Sequence, residues 1–192
     1  MSTFEELWHD RFPWTPPVGY RLRENVPNRW VRFHSLPRSK RYPDTAEEFD
    51  TVLGRANALA DQLFEEGDRF WLVASRPEQV PNAESFDVEP FTLTRFNLPK
   101  VFTWEDAQES VEDRLLWSSH AELLTWRTAA YDDIFRKIAD DDECAVIFAT
   151  ADLSSILAPY DGGFDLILAN ADDAFEIESK FNFWLSDRTD SL

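Results

Sequence analysis

Six residues have the types and spacing to do chemistry: His34, Ser35, Arg38, Lys40 and Arg41 in one short run, and Asp161 in a glycine-containing turn far along the chain. An imidazole, a hydroxyl, two guanidinium groups and an ammonium held this close can bind a phosphate or a carboxylate, and Arg38 and Arg41 could grip it through paired N–H donors. In that reading His34 is the acid or base and Asp161 the carboxylate that orients it. The plainer reading pairs the cations with this chain's own carboxylates and leaves His34 to close a strand. Asp161 and Asp165, either side of Gly162 and Gly163, form a second candidate as a carboxylate pair for a metal or for acid–base work. An aspartate followed by two glycines is also what a tight hairpin turn requires, with both glycines expected at positive φ.

Other chemistries lack their residues. The five glycines, at 19, 54, 67, 162 and 163, build no phosphate loop, no dinucleotide fingerprint and no Gly-x-Ser-x-Gly elbow. Three dispersed histidines (His9, His34, His120) and one cysteine assemble no local zinc motif. No cofactor is expected.

Charge adds a direction. The chain carries a net charge of −18, yet residues 21–41 hold seven basic side chains (Arg21, Arg23, Arg29, Arg32, Arg38, Lys40, Arg41) against Glu24 alone. A basic island of +6 therefore sits on a body of −24. That body repels nucleic acid and anionic membranes at long range. Its acidic groups, at 105–113, 140–143 and 172–178, are the surface a basic protein partner would meet.

The elements that must position these residues follow from periodicity. Residues 3–12 read as a short helix with Phe4, Leu7 and Trp8 inward, and Pro13, Pro16 and Pro17 turn the chain into an extended connector. Residues 28–37 alternate as a strand through Trp30, Val31, Arg32, Phe33 and His34. Thr45 with Glu48 is a capping-box pattern, and it opens a helix of about twenty residues whose apolar face runs from Phe49 to Phe64 before Gly67 stops it. With a strand at 70–74 this makes a βαβ unit of parallel strands joined by a right-handed crossover. Further strands are expected at 91–96, 115–117, 123–126 and 145–148. A helix over 130–138 precedes an acidic loop at 140–143, and a loop is expected at 105–113. A hairpin spans 155–168, and a last helix, capped by Asn170, turns Ala174, Ile177, Phe181, Trp184 and Leu185 inward. Phe49, Leu53, Leu63, Phe148 and Trp184 should share one core.

The fold class is thus α/β (α+β): a mixed sheet with about three packed helices, an N-terminal βαβ unit and a C-terminal hairpin plus helix. Residues 1–192 read as a single globular domain, with 1–27 as an N-terminal helix and Pro-rich extension. Cys144 lies in an apolar run that reads as an interior strand, which precludes an internal disulfide and disfavours a reactive thiol. Residues 1–10 are acidic and lack a signal-peptide pattern, and no apolar run is long enough to span a bilayer, so a cytoplasmic location is expected.

Residues 30–43 (Trp-Val-Arg-Phe-His-Ser-Leu-Pro-Arg-Ser-Lys-Arg-Tyr-Pro), the helix after them, residues 158–168 (Ala-Pro-Tyr-Asp-Gly-Gly-Phe-Asp-Leu-Ile-Leu) and the closing Phe-Trp-Leu-Ser carry a resemblance. They resemble the two signature blocks of a family of uncharacterised bacterial proteins, over most of the chain from about Asn28 onward and less well across 76–112. The resemblance implies a bacterial, cytoplasmic protein and transfers no catalytic residue. The expected function is a non-enzymatic interaction domain that binds a basic partner, in the manner of immunity proteins that mask basic toxins. The alternative is a small enzyme or sensor that holds an anionic, phosphorylated ligand on residues 38–41, while nucleic-acid binding ranks last.

Overall fold

The computed structural model describes residues 3–78, 90–105 and 115–185. Its strands are β1 (Trp30–His34), β2 (Arg69–Pro77), β3 (Lys100–Glu105), β4 (Leu116–Thr125), β5 (Val146–Thr150), β6 (Ile156–Tyr160) and β7 (Gly163–Ile167). They form one sheet in the order β1-β7-β6-β5-β2-β4-β3, and every neighbouring pair is antiparallel. The α/β class is as expected, but the pairing within it is not mixed. β1 and β2 run in the same direction with three strands between them, so the connection after β1 crosses most of the sheet instead of closing a βαβ unit. Local periodicity reports that a segment is a strand; the strand it pairs with depends on contacts far away in sequence.

Among the described residues six α-helices cover the two faces: α1 (Phe4–Arg11), α2 (Gly19–Asn25), α3 (Ala46–Ala60), α4 (Phe91–Phe96), α5 (Asp132–Ala139) and α6 (Ala171–Lys180). On one face Phe33, Phe70, Leu72, Phe148, Leu157, Phe164 and Leu166 meet α3, α5 and Ala174 of α6, with Phe49, Leu53, Leu63 and Trp184 packed against this core as expected. On the other, Val73, Ala121, Ile147, Ile156, Ala158 and Ile167 meet Phe4 and Trp8 of α1, Phe12 beyond it and Leu22 of α2. The period of two assigns the faces: Val31 and Phe33 point to the first, Trp30, Arg32 and His34 to the second. Because helices lie on both sides, β5, β6 and β7 are buried along nearly their whole length.

Caps set the helix starts. Thr3 and Glu6 form a complete capping box on α1. On α3 only half of the box forms: Thr45 Oγ1 accepts from Glu48 N at 3.2 Å, while the Glu48 carboxylate turns to Asp44 N and Lys40 Nζ. On α6 Asn170 Oδ1 accepts from Asp173 N at 2.9 Å.

Several local expectations are corrected. The connector after Pro17 contains α2, and α3 is 15 residues long instead of about twenty, with Gly67 at φ +95° beyond its end. Residues 91–96 are helix α4, closed by Asn97 in the left-handed region, and not a strand. The two strands expected at 115–117 and 123–126 are one, β4, and β3 was not anticipated. Cys144 is exposed in the loop before β5, not within a strand. Neither Gly162 nor Gly163 has a left-handed φ. Gly163 is needed for space: a Cβ there would fall inside contact distance of the Phe33 carbonyl oxygen on the adjacent strand. The acidic stretch expected as a loop at 105–113 lies outside the described residues except for Glu105, which ends β3.

Candidate functional site

The residues singled out by chemistry do not converge; they divide between two places. His34 ends β1, opposite Gly163, and its carbonyl accepts from Arg55 Nη1 at 2.7 Å. Ser35 is buried; its N–H donates to Gly162 O at 3.0 Å, and its hydroxyl has no hydrogen-bond partner among the described residues. The chain then turns through a short 3₁₀ segment, Pro37–Ser39, in which Arg38 and Ser39 both take left-handed φ values, 59° and 54°. This reverses the backbone and separates Arg38 and Lys40 from Arg41.

Arg38, Lys40, Glu48 and Thr51 line a shallow groove of about 410 Å³ beside α3. Lys40 is not available to an anion, because its ammonium contacts both Glu48 carboxylate oxygens at 2.6 Å and Asp44 at 2.8 Å. Those hydrogen bonds, to Asp44 first and then Glu48, hold its pKa above the ordinary value, and the same pair holds Glu48 below its own. Arg38 is exposed and makes no ion pair among the described residues.

Arg41 and Asp161 belong elsewhere. Asp161 Oδ2 accepts from Arg41 Nε at 2.5 Å and from the Tyr42 hydroxyl at 2.9 Å, so the carboxylate expected to orient His34 is held by Arg41 and Tyr42. The hydrogen bond to Asp161 raises both donors' pKa values. This pair stands at the rim of a cleft of about 340 Å³. The cleft opens where the β5–β6 ladder stops. Only Phe148↔Leu157 and Ala149↔Ile156 are paired, Pro159 has no N–H to offer, and the Ala145 carbonyl accepts from Ser75 N on β2 instead.

Inside the cleft, Arg32 and Asp165 sit directly across β1 and β7 from each other and form a two-pronged ion pair, Nε–Oδ1 2.7 Å and Nη2–Oδ2 2.8 Å. Burial opposes the charge on Arg32, but the hydrogen bonds and charge of Asp165 outweigh it and hold its pKa above the ordinary value. The guanidinium also lies 4.5 Å from the Tyr160 ring centroid. Burial pushes the Tyr160 phenol up to about 12, so it stays neutral. Glu143, 7% exposed, accepts from Thr92 N and so supplies the cap that Pro90 cannot give α4. Burial raises its pKa, against the lowering effect of that hydrogen bond. Protein packed around the sulfur of Cys144, together with Glu143 and Asp141, raises the thiol's pKa, which makes it a poor nucleophile.

The sequence sets Asp165 beside Asp161 as a carboxylate pair, but the structure gives Asp165 to Arg32 and Asp161 to Arg41 and Tyr42. Arg32, Tyr160 and Glu143 were not singled out as site residues, although the strand charges leave a signal. Arg32 alternates with two buried apolar residues, and Asp165 stands inside the apolar run Phe164–Leu168; a charge of each sign inside a strand is a reason to look for a pair. One further polar cluster lies on β4: His120 Nδ1 faces Leu98 O and its Nε2 faces Ser118 Oγ, both at 3.2 Å. Ser118 is 2% exposed and His120 is half-buried. Among the described residues no group of three or more His, Cys, Asp or Glu side chains is placed to hold a metal ion, and no helix is long and apolar enough to cross a membrane.

Comparison with curated proteins and with solved structures gives no match. A match to a family profile covers residues 18–189, from the start of α2 to beyond the described C-terminus and including every strand of the sheet. The chain therefore belongs to the DUF3885 family, a domain of unknown function.

Proposed function

We propose that this chain is a non-enzymatic interaction domain that binds a basic protein partner, acting in the bacterial cytoplasm in the way an immunity protein masks a basic toxin. The observation that carries this reading is on α6. Phe175 is 72% exposed there among Asp172, Glu176 and Glu178, and Phe183, just beyond the helix, is 92% exposed. Large aromatic side chains are enriched at contact surfaces, and carboxylates around them favour a positively charged partner. None of these three acids makes an ion pair among the described residues, whereas four of the seven cations of the basic island are engaged: Arg21 with Glu24, Arg32 with Asp165, Lys40 with Asp44 and Glu48, Arg41 with Asp161.

A second reading keeps the anionic ligand and rests on Arg38 alone, exposed and unpaired among the described residues beside the groove on α3. One pair of experiments separates the two. Glu176→Lys with Glu178→Lys lies beyond the first turn of α6, so the new lysines do not oppose the helix dipole. In stopped-flow association with a basic protein that the immobilised chain retains from bacterial lysate, this variant should be slower by about threefold or more at low salt and much less affected at high salt. Unchanged association at low salt, together with a phosphate-dependent rise in Tm that Arg38→Ala abolishes, would replace the interaction reading with the anionic one.

A further inference from the structure

The cleft at the end of the β5–β6 ladder has a composition that neither reading uses. Four carboxylates line it, Asp141, Glu143, Asp161 and Asp165, against two guanidinium groups, Arg32 and Arg41. Each arginine is already neutralised by one of those acids, so an incoming anion would have to displace Asp165 or Asp161 from its partner. A cation meets the opposite situation. Asp161 is 12% exposed in its side chain, and both of its hydrogen bonds fall on Oδ2, which leaves Oδ1 as an unused acceptor among the described residues. Asp141 stands at the rim, exposed, without an ion pair among the described residues. Tyr160 and Trp117 give apolar walls, Trp117 being backed by Trp104 in a stack 5.1 Å between centroids. A volume of about 340 Å³ is at the low end for small-ligand sites and suits one long side chain.

We infer that this cleft receives a guanidinium or ammonium side chain, an arginine or lysine presented by the basic partner, with its methylene stem against Tyr160 and Trp117 and its charge on Asp161 and Asp141. Aromatic walls and carboxylates in one cleft suit a long cationic side chain, since its stem is apolar and its tip is charged. Arg41, 64% exposed, already occupies part of the place in the free protein by holding Asp161. The inference rests on the interaction reading for the source of the cation; the cleft's preference for positive charge follows from its own lining.

The test is calorimetric titration of the whole chain with agmatine and with N-acetylarginine amide, with inorganic phosphate as the opposite charge. The wild type should bind both cations saturably and phosphate not at all. Asp161→Asn and Asp141→Asn should each weaken the cations by about tenfold, the loss expected for one charge-assisted hydrogen bond. Asp141 has φ 61°, a conformation asparagine tolerates, so that variant keeps its backbone. Arg41→Ala should tighten the cations several-fold, because it frees Asp161; a merely structural role for the pair predicts no gain. Weaker cation binding in Arg41→Ala, no saturable binding in either protein, or phosphate binding lost with Arg41 overturns the inference. The partner supplies the last arm. Charge-steered association that ignores Asp141→Asn and Asp161→Asn overturns the cleft's role and leaves the interaction reading in place. Association without any charge dependence overturns the interaction reading, and with it the source of the cation named here.

Discussion

Replacing Gly163 by alanine places a methyl group between three strands. Gly163 pairs with His34 of β1 and with Tyr160 of β6, and an ideal Cβ there would collide with the Phe33 carbonyl oxygen and lie 3.0 Å from the Tyr160 hydroxyl and 3.1 Å from His34 Cα. Two of those three obstacles are backbone of a paired strand, which cannot rotate away. Overpacking of this kind costs about 1–3 kcal/mol, and a rigid obstacle places Gly163→Ala at the upper end. For a chain of this size each kcal/mol lowers Tm by about 2–4 °C, so a fall of about 6–12 °C is expected. Gly162 is the internal control. Its nearest obstacle is Tyr160 Cε2 at 3.0 Å, the edge of a side chain that can tilt, so Gly162→Ala should cost less than about 1 kcal/mol. Gly54, in the middle of α3, has nothing within 4 Å of where an added methyl group would sit, so Gly54→Ala should stabilise by about 0.5–1 kcal/mol through the unfolded chain's lost freedom. Thermal melts followed by circular dichroism rank the three. If Gly162→Ala costs as much as Gly163→Ala, or if Gly163→Ala melts with the wild type, the close-approach argument fails.

Two more expectations concern buried charge. Asp165→Asn leaves Arg32, with 11% of its side chain exposed, without a counter-charge, and should cost about 3–5 kcal/mol in urea unfolding, while Glu48→Gln on the exposed Lys40 pair should have a much smaller effect; equal losses would show that the Arg32–Asp165 pair is not desolvated. Glu143 has a pKa raised by burial, so its contribution to stability is fully present below the ordinary glutamate range and is lost as pH rises through the higher folded value. The wild type should therefore lose stability relative to Glu143→Gln across that window, and a difference that grows in the wild type's favour with rising pH would contradict the assignment.

What was legible in the sequence was local. Spacing located α1, α3, α5 and α6, and caps marked the starts of α3 and α6, because a helix states its apolar face and its first turn within a few residues, as Thr45 and Asn170 do. Alternation located β1, and the apolar runs either side of Gly162 located the β6–β7 hairpin. Short segments were less reliable: at six residues, α4 carries too few turns to separate a period of 3.6 from one of 2.

Tertiary structure alone decided which strands meet, and so which charges do. Arg32 finds Asp165 only because β1 pairs with β7, 133 residues further along, and Arg41 finds Asp161 across a separation of 120. His34 and Arg38 lie only four positions apart, yet the left-handed turn at Arg38 and Ser39 sends them to different surroundings. The sequence by itself determined that the chain carries −18, that it holds a basic island and that its helices are amphipathic. For Arg32 and Arg41 the neutralising carboxylate depended on sheet order, because an ion pair forms over a few ångströms of space, whereas Arg21 with Glu24 and Lys40 with Asp44 and Glu48 pair with near neighbours in sequence.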